Sequence, residues 1–326
     1  MGVRRTLIAG IAVVAALFAC AQGFPGTTSS FTSSAANSGN TVTAAADWTA
    51  PTISSAILQK SEGGVINKFN PGDLFYLYAN ITDPGNPSAG LGTVTANTTN
   101  IATVTSATLT AGSYTVNGTA YNYRSAQLTA KSTLTTTTYT YSLSVSDLVP
   151  NGPTSTSPSV SSSTATFAPS SFLTTNVVTA GKALATDKFT MVYSSAPDPE
   201  SVFAGWDGSS RSVSVALADG GLYGFSSTTS DIIGITDATG AVTPLGYVMT
   251  GGNYVATSQT VTFTNSTIAL SGSTFTVTLG TPSNSTYLLT DAASHVAAWS
   301  QYPTVFDQFG NGSTAATITG TTHVQF

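Results

Sequence analysis

Hydrophobic and polar residues alternate along much of this chain, most clearly from Asp73 to Ile81. Phe75, Leu77, Ala79 and Ile81 fall on one face, while Leu74, Tyr76, Tyr78 and Asn80 fall on the other, the two-residue period of a β-strand. Turn residues bracket this run, Asn67-Lys68-Phe69-Asn70-Pro71-Gly72 before it and Asp83-Pro84-Gly85-Asn86-Pro87 after it. Asn117-Gly118 separates Ser113–Val116 from Thr119–Leu128, the strongest hairpin signal present, because a tight two-residue turn needs positive φ at both positions. Tyr139, Tyr141, Leu143 and Val145 alternate with Thr140, Ser142 and Ser144 and predict another half-buried strand.

Such runs between residues 48 and 148 amount to one immunoglobulin-sized β-sandwich. Residues 149–171 carry Pro150, Pro153, Pro158 and Pro169 among serines and threonines, with neither period sustained. The expectation there is a linker, of which Thr164 to Phe167 is able to pair as a last strand of the first domain. From residue 172 to 326 a second β-sandwich is expected. Phe189, Met191 and Tyr193 share one face, as do Val213, Val215 and Leu217, then Val261 and Phe263, then Phe275, Val277 and Leu279. Asp198-Pro199 predicts one short helical turn over Pro199 to Ala204, with Asp198 as its N-cap. Trp48, Trp206 and Trp299 are expected in cores or at the domain junction.

Composition strengthens the β reading. About 100 of the 326 residues are Ser or Thr and only 7% are charged, against roughly 25% in ordinary domains. Helix-favouring Glu and Lys are scarce, while Thr, Val and Tyr suit pleated sheets. The deficit of charge excludes a coiled coil, a basic nucleic-acid binder and a charge-driven disordered tail.

The first 21 residues have the form of a signal peptide. Arg4 and Arg5 precede the apolar run Thr6 to Ala19, which at about 14 residues is shorter than the ~20 a spanning helix needs. Ala19-Cys20-Ala21 fits cleavage after Ala21, giving a freely secreted chain. Leu17-Phe18-Ala19-Cys20 resembles a bacterial lipobox, which makes Cys20 the lipidated first residue and the membrane a partner only in that case. Cys20 is the one cysteine, so no intrachain disulfide forms. Removal of both arginines leaves 7 basic against 14 acidic residues, and a chain of net charge about −7 has no electrostatic attraction to nucleic acid. Residues 22–47, rich in Ser, Thr, Ala, Gly and Asn, are expected to form a flexible arm.

Phe31-Thr32, Asn37-Ser38-Gly39-Asn40-Thr41 and Ala46-Asp47-Trp48-Thr49-Ala50-Pro51 resemble the leader segment of TasA/camelysin-like exported bacterial proteins. Tyr76 to Asp83, Ala111 to Val116 and Tyr121 to Ala126 resemble an immunoglobulin-like module of actinobacterial surface proteins that carry such a leader. Asp198 to Val202 and Gly205 to Gly208 are similar to a companion module. The resemblance implies exported, immunoglobulin-like architecture and no chemistry. TasA itself forms filaments, and the similarity reaches only the leader.

Candidate chemistry is sparse. The histidines are His295 and His323, and none of the H-E-x-x-H, G-x-S-x-G, S-x-x-K or C-x-x-C motifs occurs. Glu62 and Glu200, the two glutamates, fall in different expected domains, which does not suit a glycosidase carboxylate pair. No cofactor is expected, and a hydrolase is the least favoured reading. Asp83, Asn86 and Asp147 are candidate calcium ligands at one end of the first sandwich, with turn and capping roles as the alternative. Tyr76 and Tyr78, joined by Tyr121 and Tyr123, are candidate ligand or partner contacts if they form an outward stripe. Cross-strand packing is the alternative.

The sequence therefore leads to an all-β chain of two tandem immunoglobulin-like antiparallel β-sandwich domains after a signal peptide and arm. A secreted, non-catalytic cell-surface protein of structural or adhesive role is expected. Its expected partners are cell-wall or extracellular matrix components or other copies of itself, and a carbohydrate-binding module is the alternative.

Overall fold

The computed structural model describes residues 47–85, 88–149 and 151–326. The expected signal segment, the candidate processing residues Cys20 and Ala21, and the expected arm up to residue 46 lie outside the described residues.

The first half forms β1 (Thr52–Lys60), β2 (Lys68–Phe69), β3 (Leu74–Thr82), β4 (Leu91–Asn97), β5 (Ser106–Val116), β6 (Thr119–Ser125), β7 (Leu128–Thr129), β8 (Thr137–Thr140), β9 (Ser142–Asp147), β10 (Thr154–Thr156) and β11 (Ser159–Ser162). One sheet runs β1-β3-β6-β5-β4-β9-β10, with β7 also on β3, and a smaller one runs β2-β11-β8. The ladders are antiparallel except β2 with β11. The large sheet curls until its ends approach, where the Thr154 hydroxyl donates to the Pro51 carbonyl at 2.7 Å. The small sheet closes over the concave face, and the core takes Phe75, Leu77 and Leu143 from one sheet and Phe69 and Val160 from the other.

Local chemistry explains these elements. The expected face of β3 is buried, with Phe75, Leu77, Ala79 and Ile81 all within 1% of full burial. Asn117 and Gly118 have φ of 46° and 77°, as the β5–β6 turn requires. The single strand expected over Tyr139 to Val145 divides at Tyr141. β8 belongs to the small sheet and β9 to the large one, and the buried Tyr141 ring fixes the corner between them.

The second half forms β12 (Pro169–Thr175), β13 (Lys188–Tyr193), β14 (Arg211–Ala218), β15 (Ile232–Thr236), β16 (Val242–Met249), β17 (Thr260–Ser271), β18 (Thr274–Thr278), β19 (Thr281–Pro282), β20 (His295–Gln301) and β21 (Ala316–His323). They make one sheet, β12-β13-β18-β17-β14-β15-β16-β20-β21, with β19 on β17. Its two ends lie side by side, bridged by side chains. The Thr174 hydroxyl reaches His323 Nε2 at 2.8 Å, and a Cβ at Gly320 would stand 3.1 Å from the Phe172 carbonyl oxygen. Tyr193 sits at the centre of this core, stacked on Phe167 at 4.8 Å and edge-on to Trp299 at 5.3 Å.

The all-β, antiparallel expectation holds, and strands 1–11 and 12–21 pair only within their own half among the described residues. The expected linker 149–171 is corrected. It contains β10 and β11, which complete the first sandwich, and it delivers Phe167 into the second core. Asp198 accepts from the Glu200 amide at the start of a 3-10 turn, Pro199–Ser201, shorter than expected. Trp206 and Trp299 are core residues, but Trp48 is 80% exposed, against expectation.

The halves touch through Lys60 on β1 and Asn70 beyond β2. Both donate to the Phe309 carbonyl, at 2.6 and 3.0 Å, and Lys68 lies 5.2 Å from the Phe309 ring centroid.

Candidate functional site

Three carboxylates converge at one end of the first sandwich. Asp83 follows β3, Asp147 ends β9, and Asp47 precedes β1; one oxygen from each lies within 4.8 Å of the others. Antiparallel pairing produces this meeting, since the β3–β4 connection and the end of β9 both reach the same rim, where Leu91 pairs with Asp147. Asp83 and Asp147 are thus brought together as expected. Asn86 lies outside the described residues, and Asp47 occupies the third position.

Each carboxylate has a local partner. Asp83 accepts from the Ser88 hydroxyl at 2.5 Å and from the Gly85 and Gly90 amides. The Ser88 hydroxyl first, then these amides, hold its carboxyl below the ordinary carboxylate range. Asp47 accepts from the Thr49 amide at 2.8 Å and the Ala89 amide at 3.1 Å. Asp147 accepts at Oδ1 from the Leu148 amide, whereas its buried Oδ2 has no hydrogen-bond partner. Gly85 lets the Asp47 carboxylate lie against the backbone, since any Cβ there would displace that side chain. Carboxylates whose oxygens lie within 4.8 Å of one another repel, so this rim favours a positive charge.

The tyrosines divide between two faces. Tyr78 and Tyr121 are 8% and 7% exposed and pack with Ile57 and Val116 in a small second core, flanked by Tyr76 and Tyr114. Arg124 covers that cluster, its guanidinium 4.8 Å from the Tyr76 ring centroid and 4.4 Å from that of Tyr114. Tyr123 pairs with Ala79 and packs on the main core instead. The outward stripe is therefore corrected to cross-strand packing. Tyr121 and Tyr123 part because Asn80 and Asn122 replace the ladder near this point with side-chain bonds, and β5–β6 pairing slips between Ala111 and Tyr114. Such a slip carries a side chain to the opposite face.

A more open aromatic surface lies on the second sandwich and was missed in the sequence. Phe225, Tyr247 and Tyr302 form a row with ring centroids 6.3 and 6.4 Å apart. Phe225 and Tyr302 are 41% and 43% exposed, and Leu222 and Tyr223, beside Phe225 in the chain, are more exposed still. The row draws on the turn at Phe225, strand β16 and the residue just after β20, so no local sequence pattern marks it.

Both histidines have neighbours in the fold. His295 Nε2 lies 2.8 Å from Asp291 Oδ2, and His323 bridges Thr174 and the Thr321 carbonyl. A depression of about 280 Å³ at the Tyr141 corner is lined by hydroxyls and amides, including Asn97, Asn100 and Ser157, and is smaller than usual ligand pockets. No helix among the described residues is long and apolar enough to cross a membrane.

Fold and site together define an all-β, two-sandwich protein with an acidic rim and an aromatic face. No protein-family model matches the chain, and no curated protein is significantly similar to it.

Proposed function

We propose that this is an exported, non-catalytic surface protein of structural or adhesive role, acting through the faces and edges of its sandwiches. The observation that carries the reading is the row Phe225–Tyr247–Tyr302 with exposed Leu222 and Tyr223 beside it. Large apolar side chains held partly in water are relieved by contact with another surface, and flat rings with polar tips suit cell-wall polymers and other protein copies. The charged n-region and apolar run of residues 1–21, and the resemblance to actinobacterial immunoglobulin-like surface proteins, support export. Strand β8, at the end of its sheet, offers backbone groups to a strand from a neighbouring copy.

The same row favours one second reading, a carbohydrate-binding module, since adjacent rings stack on sugar rings. Binding of the full chain to purified cell walls, compared with a Phe225→Ala/Tyr247→Ala/Tyr302→Ala variant, tests the proposal. Loss of wall binding is expected, and unchanged binding overturns it. Saturable, row-dependent binding to defined glycans on an array favours the carbohydrate reading.

A further inference from the structure

We propose that Asp47, Asp83 and Asp147 bind one calcium ion, which fastens the segment ahead of β1 to the rim of the first sandwich. Two observations meet here. The three side chains each present an oxygen within 4.8 Å of the others, the span of ligands placed about 2.3–2.6 Å from a shared ion. Independently, Asp147 is 6% exposed and its Oδ2, shut off from water, accepts no hydrogen bond. A buried carboxylate oxygen without a donor is costly unless a cation meets it.

Among the described residues no basic side chain fills that role. The ion pairs among the described residues are Lys60–Asp73 and His295–Asp291, both away from the rim. An all-oxygen donor set selects a hard cation, and zinc and copper sites draw on the nitrogen or sulfur ligands missing from this trio. Calcium suits it better than magnesium, which keeps several waters and demands near-octahedral geometry, whereas this rim is crowded by amides already bound to the carboxylates. Asp47 is 3% exposed, held also through its carbonyl by the Asn151 side chain at 2.9 Å. An ion at this point therefore joins Asp47, Asp83 and Asp147, which lie far apart in sequence.

The test uses the full chain after chelator treatment, titrated with calcium chloride by calorimetry and melted with calcium, with magnesium or with chelator. One calcium per chain and a rise in Tm of several degrees are expected, because a ligand bound only by the folded state stabilises it. Terbium should show luminescence sensitised by Trp48, next in the chain to Asp47. Asp83→Asn and Asp147→Asn should each weaken calcium binding at least about tenfold, the scale of losing one charged ligand. In chelator, Asp147→Asn should melt no lower than the parent chain, since it removes a like charge and keeps the acceptor for the Leu148 amide. Asp83→Asn, at the more exposed position, carries the test if Asp147→Asn fails to fold. The absence of heat and of any Tm shift up to about 10 mM calcium, above the weak end of protein calcium sites, overturns the proposal. So does an equal effect of magnesium, or a calcium response unchanged in both variants.

Discussion

The ammonium group of Lys60, on the first strand of one sandwich, donates to the carbonyl of Phe309 in the other across 2.6 Å. Lys60 also lies 3.8 Å from Asp73, and a Cβ at Gly310 would stand 2.1 Å from its nitrogen. A hydrogen bond from a charged donor contributes about 1.5–3 kcal/mol when well desolvated, so this bond is a principal tie between the halves. Lys60→Met, which keeps much of the aliphatic stem, should speed hydrogen exchange in residues 305–312 while leaving β13 and β18 protected. Unchanged exchange around Phe309 would show that the halves are tied elsewhere.

The tryptophans predict a contrast. Trp299 is fully buried and its indole N–H donates to the Leu245 carbonyl at 2.6 Å, whereas Trp48 is 80% exposed. Trp299→Ala should lower unfolding free energy by about 3–5 kcal/mol. Trp48→Ala should change it by less than about 0.5 kcal/mol. Urea denaturation followed by circular dichroism measures both, and comparable losses would contradict this packing.

Two glycines offer a similar pair. Gly246 has φ of 81°, and a Cβ there would lie within 1.9 Å of the Ser300 carbonyl oxygen, which belongs to the paired backbone of β20. Gly234, in β15, has no heavy atom within 4 Å of the same position. Gly246→Ala should destabilise by several kcal/mol, on the order of the largest single-residue effects. Gly234→Ala should be neutral or stabilising by up to about 1 kcal/mol. Thermal melts separate these outcomes.

Asp231 predicts a pH dependence. It is fully buried; Oδ2 accepts from the Tyr254 and Val255 amides at 2.5 and 2.8 Å, while Oδ1 has no partner. Burial pushes its carboxyl up to about 6, from an ordinary 3.8. Between these values the folded chain keeps a proton that the unfolded chain releases. The stabilising contribution is therefore full below about pH 4 and lost as pH rises through 6. Relative to the parent, Asp231→Asn should gain about 2–3 kcal/mol between pH 4 and 7. A constant difference across that range would remove Asp231 as the source.

Local chemistry made some of this legible in the sequence and distance hid the rest. The alternation of β3 and the Asn117-Gly118 turn read correctly because a two-residue period and positive φ are properties of adjacent residues. Tyr123 did not, since the irregular pairing that sets it on the opposite face from Tyr121 depends on Asn80, some forty residues earlier. Tyr141 hid a change of sheet because the residues on both sides of it keep the same alternation. Asp83 and Asp147 were legible as turn residues at strand ends. Asp47 was not, because its low-complexity surroundings resemble an unstructured arm and its partners are fixed only once the strands are ordered. Phe167 likewise sits among prolines and serines, and only the completed second core shows why it is apolar.

The meeting of β12 and β21 bears on how this molecule tolerates crowding. With those margins facing one another, the second sandwich turns few bare amides and carbonyls along its longest strands toward a neighbour. Edges turned toward one another in this way are poor templates for the strand addition by which fibres grow.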